Sequence, residues 1–565
     1  MTSELPYSGC DALVQALKDE GVDLLFGYPG GAVIPEFDAL YREHFPVALV
    51  RHEQGATHAA EGYAKSTGKT GVVMVTSGPG ATNAITGVAD AMRDSVPMVV
   101  FSGQVGTKFL GKEAFQEADA MALMKPVTKQ TFQVRQTTEV ATVVHQAFAL
   151  AKSGRPGPVL VDLPKDVMTG RIATLSSHQG SPATAPTQAP VARVKEVAAE
   201  LAHAKRPLVV VGGGAVVAEA AHEVNTLVHK YQLPVVTTLL GLGVVPSNDS
   251  LCFGMAGMHG SFVANTALEK CDFVLGIGSR FEDRFATDAA RFAPQAKVAQ
   301  IDINPHEPGR NVQVDFALVG DAKAVVTQLL QQLTTVAEHS AWNEQLAAWQ
   351  NARPLTYQQE PDYLAPEQVV QAVGKATNGR AYVVTDVGQH QMWAAQFYPF
   401  TFPRQLITSG GFGTMGFGLP AAVGTQFAHR DEPVVLFTGD GSLQMTVQEL
   451  DVVTQYRLNL KIVLFNNRRL GMVRQWQDLF FEHRRASTIL EHQPNFQQLT
   501  QAYGLSYHRL EASDDWQDQL ANFLATPGPG LLEVATAPDH QAMPMIFPGK
   551  SNGELYDENY PTKEN

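Results

Sequence analysis

The order of apolar and helical segments predicts an α/β protein of three doubly wound parallel-sheet domains, the outer two alike in fold and the middle one Rossmann-like. Three observations carry this. The chain of 565 residues is too long for one hydrophobic core. Short continuous apolar runs alternate with Ala-rich helical stretches, the pattern of strands buried on both faces by helices. Two polar, proline-bearing stretches, 176–190 and 354–366, interrupt that alternation.

The first block, 1–175, has β-type runs at 24–27, 47–50, 72–75, 98–101 and 159–162. The small, polar, Pro-rich run 176–190 reads as a linker. The second block, 191–335, opens with Pro207-Leu208-Val209-Val210-Val211 running into Gly212-Gly213-Gly214 and continues through 273–278 and 298–303. The third, 364–540, repeats the alternation of the first with runs at 382–386, 434–438, 461–465 and 531–534. The tail, 541–565, is Pro-rich and polar, shows no clear element and is expected to fold over the body.

Composition narrows the function. A formal net charge of −14 argues against a nucleic-acid surface, which needs clustered Lys and Arg. Cys10, Cys252 and Cys271 are too few and too scattered for a disulfide framework or a metal knuckle, so a reducing, cytoplasmic setting is expected. The N-terminus has neither the basic segment nor the apolar stretch of a signal peptide, and no apolar run reaches membrane-spanning length.

The most informative motif is Gly439-Asp440-Gly441 at the end of one β-type run, with Asn466-Asn467 at the end of the next and 24 residues between. Alone, the first triplet is an ordinary turn. With a helix-like stretch at 446–458 between the runs, both motifs fall at neighbouring strand ends of a strand-helix-strand unit. Glycines there let the backbone approach phosphate oxygens, while Asp440 and an Asn carbonyl supply hard oxygen ligands for Mg²⁺. The spacing looks like the thiamine diphosphate (ThDP) signature. Glu53, in Arg51-His52-Glu53-Gln54-Gly55-Ala56 after the run 47–50, would sit near a strand's C-terminal end, where open α/β sheets place ligands. A lone Glu before a helix is more often a first-turn charge favoured by the helix dipole. Gly212-Gly213-Gly214 invites a nucleotide-phosphate reading but lacks the full G-x-G-x-x-G spacing. Arg284 offers a two-donor fork for a carboxylate, or an ordinary ion pair with Asp283.

Together with Tyr28-Pro29-Gly30-Gly31, Thr76-Ser77-Gly78-Pro79-Gly80-Ala81-Thr82-Asn83, Ala114-Phe115-Gln116-Glu117-Ala118-Asp119, Arg280-Phe281-Glu282-Asp283-Arg284 and Asp386-Val387-Gly388-Gln389-His390-Gln391-Met392-Trp393, these motifs resemble those of acetohydroxyacid (acetolactate) synthase catalytic subunits, within the ThDP-dependent enzymes. The resemblance covers nearly the whole chain. It implies that the outer domains bind ThDP, the first its pyrimidine through Glu53, Pro79 and Asn83, the third its diphosphate. Gly388, Gln389, His390, Gly413, Met415, Gly439, Asp440, Gly441, Ser442, Asn467, Arg469, Gly471 and Met472 would surround the diphosphate end. Mg²⁺ would be held by Asp440, Asn467 and the Arg469 carbonyl, and Met415 would wedge the cofactor into a bent shape. FAD is implied at Arg155, Gly212, Gly213, Gly214, Thr238, Leu239, Met258, His259, Gly278, Arg280, Arg284, Asp302, Ile303, Glu307 and Asp321. Here Glu282 and Asn304 stand where the family more often has Asp.

Substrate would meet Gly31, Phe115, Gln116 and Lys165 of the first block and Met258, His259, Arg284, Val473 and Trp476. The implied reaction is decarboxylation of pyruvate and carboligation to a second 2-keto acid, pyruvate or 2-oxobutanoate. A catabolic acetolactate synthase, a pyruvate oxidase and a glyoxylate carboligase are the alternatives within the superfamily. The resemblance also implies a homodimer or homotetramer with shared sites and a small regulatory subunit as a possible partner.

Overall fold

The structure, a computed structural model, describes residues 6–175, 187–513 and 515–560. Most of the expected linker lies outside them. Three parallel six-stranded sheets form three α/β units. The first has the order Val47–Leu49, Leu25–Tyr28, Gly71–Val75, Met98–Gln104, Pro158–Pro164, Gln130–Gln133. The third has the order Leu406–Ile407, Tyr382–Thr385, Val434–Gly439, Leu460–Asn466, Gly530–Ala535, Ser506–Leu510. Numbered within each unit, both read 2-1-3-4-6-5, so the outer sheets share one topology. The middle sheet runs Cys252–Met255, Val235–Thr237, Pro207–Val211, Phe273–Ile277, Lys297–Asp302, Phe316–Val319, the Rossmann order 3-2-1-4-5-6.

The central strands are the apolar runs legible in the sequence, because they are covered on both faces. The edge strands Gln130–Gln133 and Ser506–Leu510 alternate polar side chains and are half exposed, which hides them from a search for apolar runs. The stretch 446–458 is not one helix. A helix at Asp440–Met445 breaks at Thr446, whose φ of −135° leaves helical space and whose hydroxyl donates to Gly416 O at 3.0 Å. A 3₁₀ turn, Val447–Glu449, and a second helix, Leu450–Gln455, follow. Beyond the expected end of the middle block, helix Ser340–Ala352 packs back on it, with Trp342 Nε1 donating to Pro207 O at 3.1 Å. The tail forms the antiparallel pair Met545–Ile546 with Leu555–Tyr556. It lies over helix Gly471–Phe480, where Arg474 Nη2 donates to His540 O at 2.6 Å and Gln475 Nε2 to Ala542 O at 3.1 Å.

The outer units meet where helix Glu53–Thr67 crosses helix Gly418–Ala428. A Cβ on Gly424 would lie 1.8 Å from Ala59 O, and one on Gly62 would lie 2.1 Å from Ala421 O. Only hydrogen fits at either point. We predict that Gly424→Ala forces the backbones apart at a cost of about 1–3 kcal/mol, comparable to overpacking a core. Calorimetry should show Tm lowered by several degrees.

Candidate active site

Parallel pairing of Val434–Gly439 with Leu460–Asn466 sets Gly439 beside Phe465, so Asp440 and Asn467 are the first residues past two adjacent strand ends. A cavity of about 300 Å³ opens there, lined by Gly388, Gln389, His390, Gly413, Met415, Gly439, Asp440, Gly441, Ser442, Asn467, Arg469, Gly471, Met472 and Val473. Asp440 is buried, and burial pushes its carboxyl up to about 7 although Gln493 Nε2 donates to it. A carboxylate desolvated in this way is short of positive charge, which a divalent cation would supply. Asn467 Oδ1 is turned by accepting from Arg469 N at 3.0 Å. These hard oxygens fit Mg²⁺. His390 is held neutral, burial pushing it down to about 3, and its Nε2 is buried without a hydrogen-bond partner. Gln389 spends its amide elsewhere, donating to Gln475 Oε1 and His540 O, both at 2.8 Å, so its side chain braces the tail.

Glu53 opens helix Glu53–Thr67, whose N-cap His52 accepts from Gln54 N at 3.1 Å. Its carboxylate is buried and accepts at Oε2 from Asn83 Nδ2 at 3.0 Å. Asn83 lies on helix Pro79–Arg93, which follows strand Gly71–Val75, so the sheet aims both residues at one edge. Glu53, Pro79 and Asn83 thus form a first-domain group. None of them lines the cavity around Asp440 in the same chain.

Family models match along the chain: the thiamine pyrophosphate enzyme N-terminal TPP binding domain at 7–123, the central domain at 194–329 and the C-terminal TPP binding domain at 386–534. The acetolactate synthase large subunit of Lactococcus lactis is 45% identical over 98% of this chain and 96% of its own. The isozyme 3 large subunit of Escherichia coli is 44% identical, covering 88% of each chain. That of Haemophilus influenzae is 43% identical over 91% of each. The chain belongs to the acetolactate synthase large-subunit family.

Between the domains of this family member lies a second cavity, of about 620 Å³. Its wall includes Arg155, Gly213, Gly214, Thr238, Leu239, Gly278, Arg280, Asp302, Ile303, Glu307 and Asp321, all expected at a flavin. Gly212 lies just behind the wall, where a Cβ would stand 2.3 Å from Gly278 O. Met258, His259 and Arg284, also expected there, are placed elsewhere: Met258 packs with Met543, Met545 and Trp476, and His259 is buried against Pro544 O. Arg284 pairs with Asp283 at 2.9 Å in the open and lies 5.9 Å from the Trp476 ring centre. The cavity still suits FAD. Burial pushes Asp302 up to about 6, and Glu307 Oε2, 3.6 Å from Arg310 Nη1, is buried without a hydrogen-bond partner, so both carboxylates keep acceptor capacity for hydroxyl donors. Arg155 and Arg280 offer cations for a diphosphate.

The expected substrate residues fall into two groups. Lys165 Nζ donates to Gly31 O at 3.0 Å. The same domain carries Gln116, at φ 58° with its carbonyl against Gly78, and Phe115, 87% exposed. Met258, Arg284 and Trp476 form the other group, with Val473 one turn before Trp476 on the same helix. Sequence reasoning missed Gln493 on Asp440 and Glu449, which accepts from Arg51 N at 3.1 Å at the start of the Glu53 helix. Glu449 had no signal outside the fold.

His259 gives a pH test. Burial, aided by the Arg284 charge, pushes it down to about 4, against about 6.5 unfolded. A base with a depressed folded pKa contributes stability fully present above pH 6.5 and lost as pH falls towards 4. We predict that His259→Gln loses about 2 kcal/mol less than the parent protein between pH 7 and 4.5, read as a smaller drop in Tm.

Proposed function

We propose that this protein is the catalytic large subunit of an acetolactate synthase, decarboxylating pyruvate and joining the remaining two-carbon unit to a second 2-keto acid. Pyruvate as acceptor gives 2-acetolactate, and 2-oxobutanoate gives 2-aceto-2-hydroxybutanoate, precursors of branched-chain amino acids. The observation that carries the reading is the pairing of a magnesium-type diphosphate cradle at Asp440 and Asn467 with a buried, Asn83-held carboxylate at Glu53. Bound ThDP supplies the electron sink for the pair released when CO₂ leaves a 2-keto acid.

The residues divide the remaining work. Asn83 occupies Glu53 Oε2, which leaves Oε1 to hold a proton against the cofactor's pyrimidine nitrogen. Asp440, Asn467 and the Arg469 carbonyl would hold Mg²⁺, while Met415 and Gly413 shape the wall. Arg284 would leave Asp283, to which it is bound only in solvent, to grip the acceptor's carboxylate with both guanidinium donors. Met258 and Trp476 would exclude water, so that the acceptor outcompetes a proton. FAD in the interdomain cavity would be structural, because the net reaction moves no electrons.

Glu53 lies outside its own chain's diphosphate cavity, which supports a homodimer in which each site combines Glu53 of one chain with the cradle of its partner. Exposed apolar side chains on both sides, Phe115 in the first domain and Phe412, Met445 and Val473 in the third, suit that contact. The relatives are named large subunits, so a small regulatory subunit is the further partner proposed. A cytoplasmic location accords with three buried free cysteines, and among the described residues no helix is long and apolar enough to cross a membrane.

The test is to supply pyruvate, ThDP, Mg²⁺ and FAD and measure acetolactate and CO₂. We predict that Glu53→Gln lowers kcat by roughly 100-fold or more while ThDP affinity, by calorimetry, changes only a few-fold. Near-normal turnover would remove Glu53 from this role. Asp440→Ala should instead abolish Mg²⁺-dependent retention of ThDP with the fold intact by circular dichroism.

A further inference from the structure

The loop from Ser409 to Gly418 brings Gly413 and Met415 into the wall of the diphosphate cavity. Its far end is held within its own domain, where the buried carboxylate of Asp386 accepts from Gly416 N at 2.9 Å and Gly418 N at 3.0 Å. Its near end is held differently. The Ser409 hydroxyl accepts from Gly413 N at 2.9 Å and Thr414 N at 3.0 Å, and donates to Asp90 Oδ2 at 2.8 Å. Asp90 is in the first domain, fully buried on helix Pro79–Arg93.

We propose that Asp90 is a positioning residue for the Met415 loop, acting through the Ser409 hydroxyl; the inference rests on the reading above that sets Met415 against the cofactor. A hydroxyl has one proton and two lone pairs. Here all three are used, and the two amides are satisfied only while the proton points away from them. Asp90 is the acceptor that holds it there. Without that acceptor the hydroxyl rotates, one amide meets a proton instead of a lone pair, and the chain before Met415 loses a fixed course. Asp90 lies two helical turns beyond Asn83, the residue that holds Glu53, so a single helix sets both the carboxylate and the loop. In the proposed dimer these belong to different sites, and each chain would couple its two sites through this helix.

The experiment compares the full-length holoenzyme with Ser409→Ala, Asp90→Leu and Asp90→Asn. It measures ThDP affinity by calorimetry, kcat and KM for pyruvate, and hydrogen exchange of peptides spanning 409–416. Expected are a roughly tenfold weaker ThDP affinity, a lower kcat with a near-constant KM for pyruvate, and faster exchange at 413 and 414 in Ser409→Ala and Asp90→Leu. Asp90→Asn, which keeps an acceptor oxygen, should recover most of each. If Asp90→Leu does not fold, Ser409→Ala and Asp90→Asn still decide the matter. Affinity, kcat and exchange within twofold of the parent in Ser409→Ala overturn the proposal, as does a lower Tm with those three unchanged. A parent protein that neither retains ThDP nor forms acetolactate would overturn the functional reading and this proposal with it.

Discussion

Helix Pro79–Arg93 is the constraint on which the rest of the molecule depends, because each of its turns meets a different part of the protein. Asn83 fixes Glu53 near its start. Gly87 admits Thr57, whose Oγ1 lies 2.0 Å from where a Cβ would be. Asp90 reaches Ser409 of the third domain. At the C-terminus the carbonyls of Met92 and Arg93 accept from Arg155 Nη2, both at 3.0 Å, and Arg93 O also accepts from Arg280 Nη1 of the middle domain at 2.7 Å. Cations gather there because the last carbonyls of a helix are unpaired and carry its negative dipole end. The capping Asp94 accepts from Gly410 N at 2.9 Å and Gly411 N at 2.7 Å. One helix end therefore joins all three domains.

That junction is ionic rather than apolar. Lys65 sits between Glu61 at 2.9 Å and Asp94 at 2.7 Å and also donates to Thr408 O. Burial and the neighbouring Glu61 charge push Asp90 up to about 7. Buried charges tolerate little movement, since removing one partner leaves the other desolvated at a cost of about 3–5 kcal/mol. The arrangement holds Ser409, Gly410 and Gly411 against the end of helix Pro79–Arg93. It places the segment 410–415 so that Gly410 walls the interdomain cavity while Gly413 and Met415 wall the diphosphate cavity. Two ligand spaces are thus shaped by one short run of backbone.

The strand-end placement of Asp440 and Asn467 was legible because it follows from spacing along a strand-helix-strand unit, a local property of the chain. The break at Thr446 was not, because it comes from a hydroxyl finding Gly416 O thirty residues away. Arg284 shows the limit of residue type as a guide. Its fork suits a carboxylate, yet in the isolated chain it rests on Asp283 beside Trp476 and away from the interdomain cavity wall. Asp90 and Asp94 stand four residues apart at the C-terminal end of helix Pro79–Arg93, a spacing visible in the sequence, but nothing local says what they hold.

By itself the sequence determined the three α/β units, the likeness of the outer two and the identity of the motifs that end their strands, since buried parallel strands and tight turns restrict which residues can occupy them. Tertiary structure alone decided the edge strands Gln130–Gln133 and Ser506–Leu510, the docking of helix 340–352 and the tail, and the partners of Asp90, Asp94, Glu449 and Gln493. Hydrogen bonds between residues far apart in the chain leave no periodicity in it. They exist only once packing has removed the water that would otherwise satisfy the same polar groups.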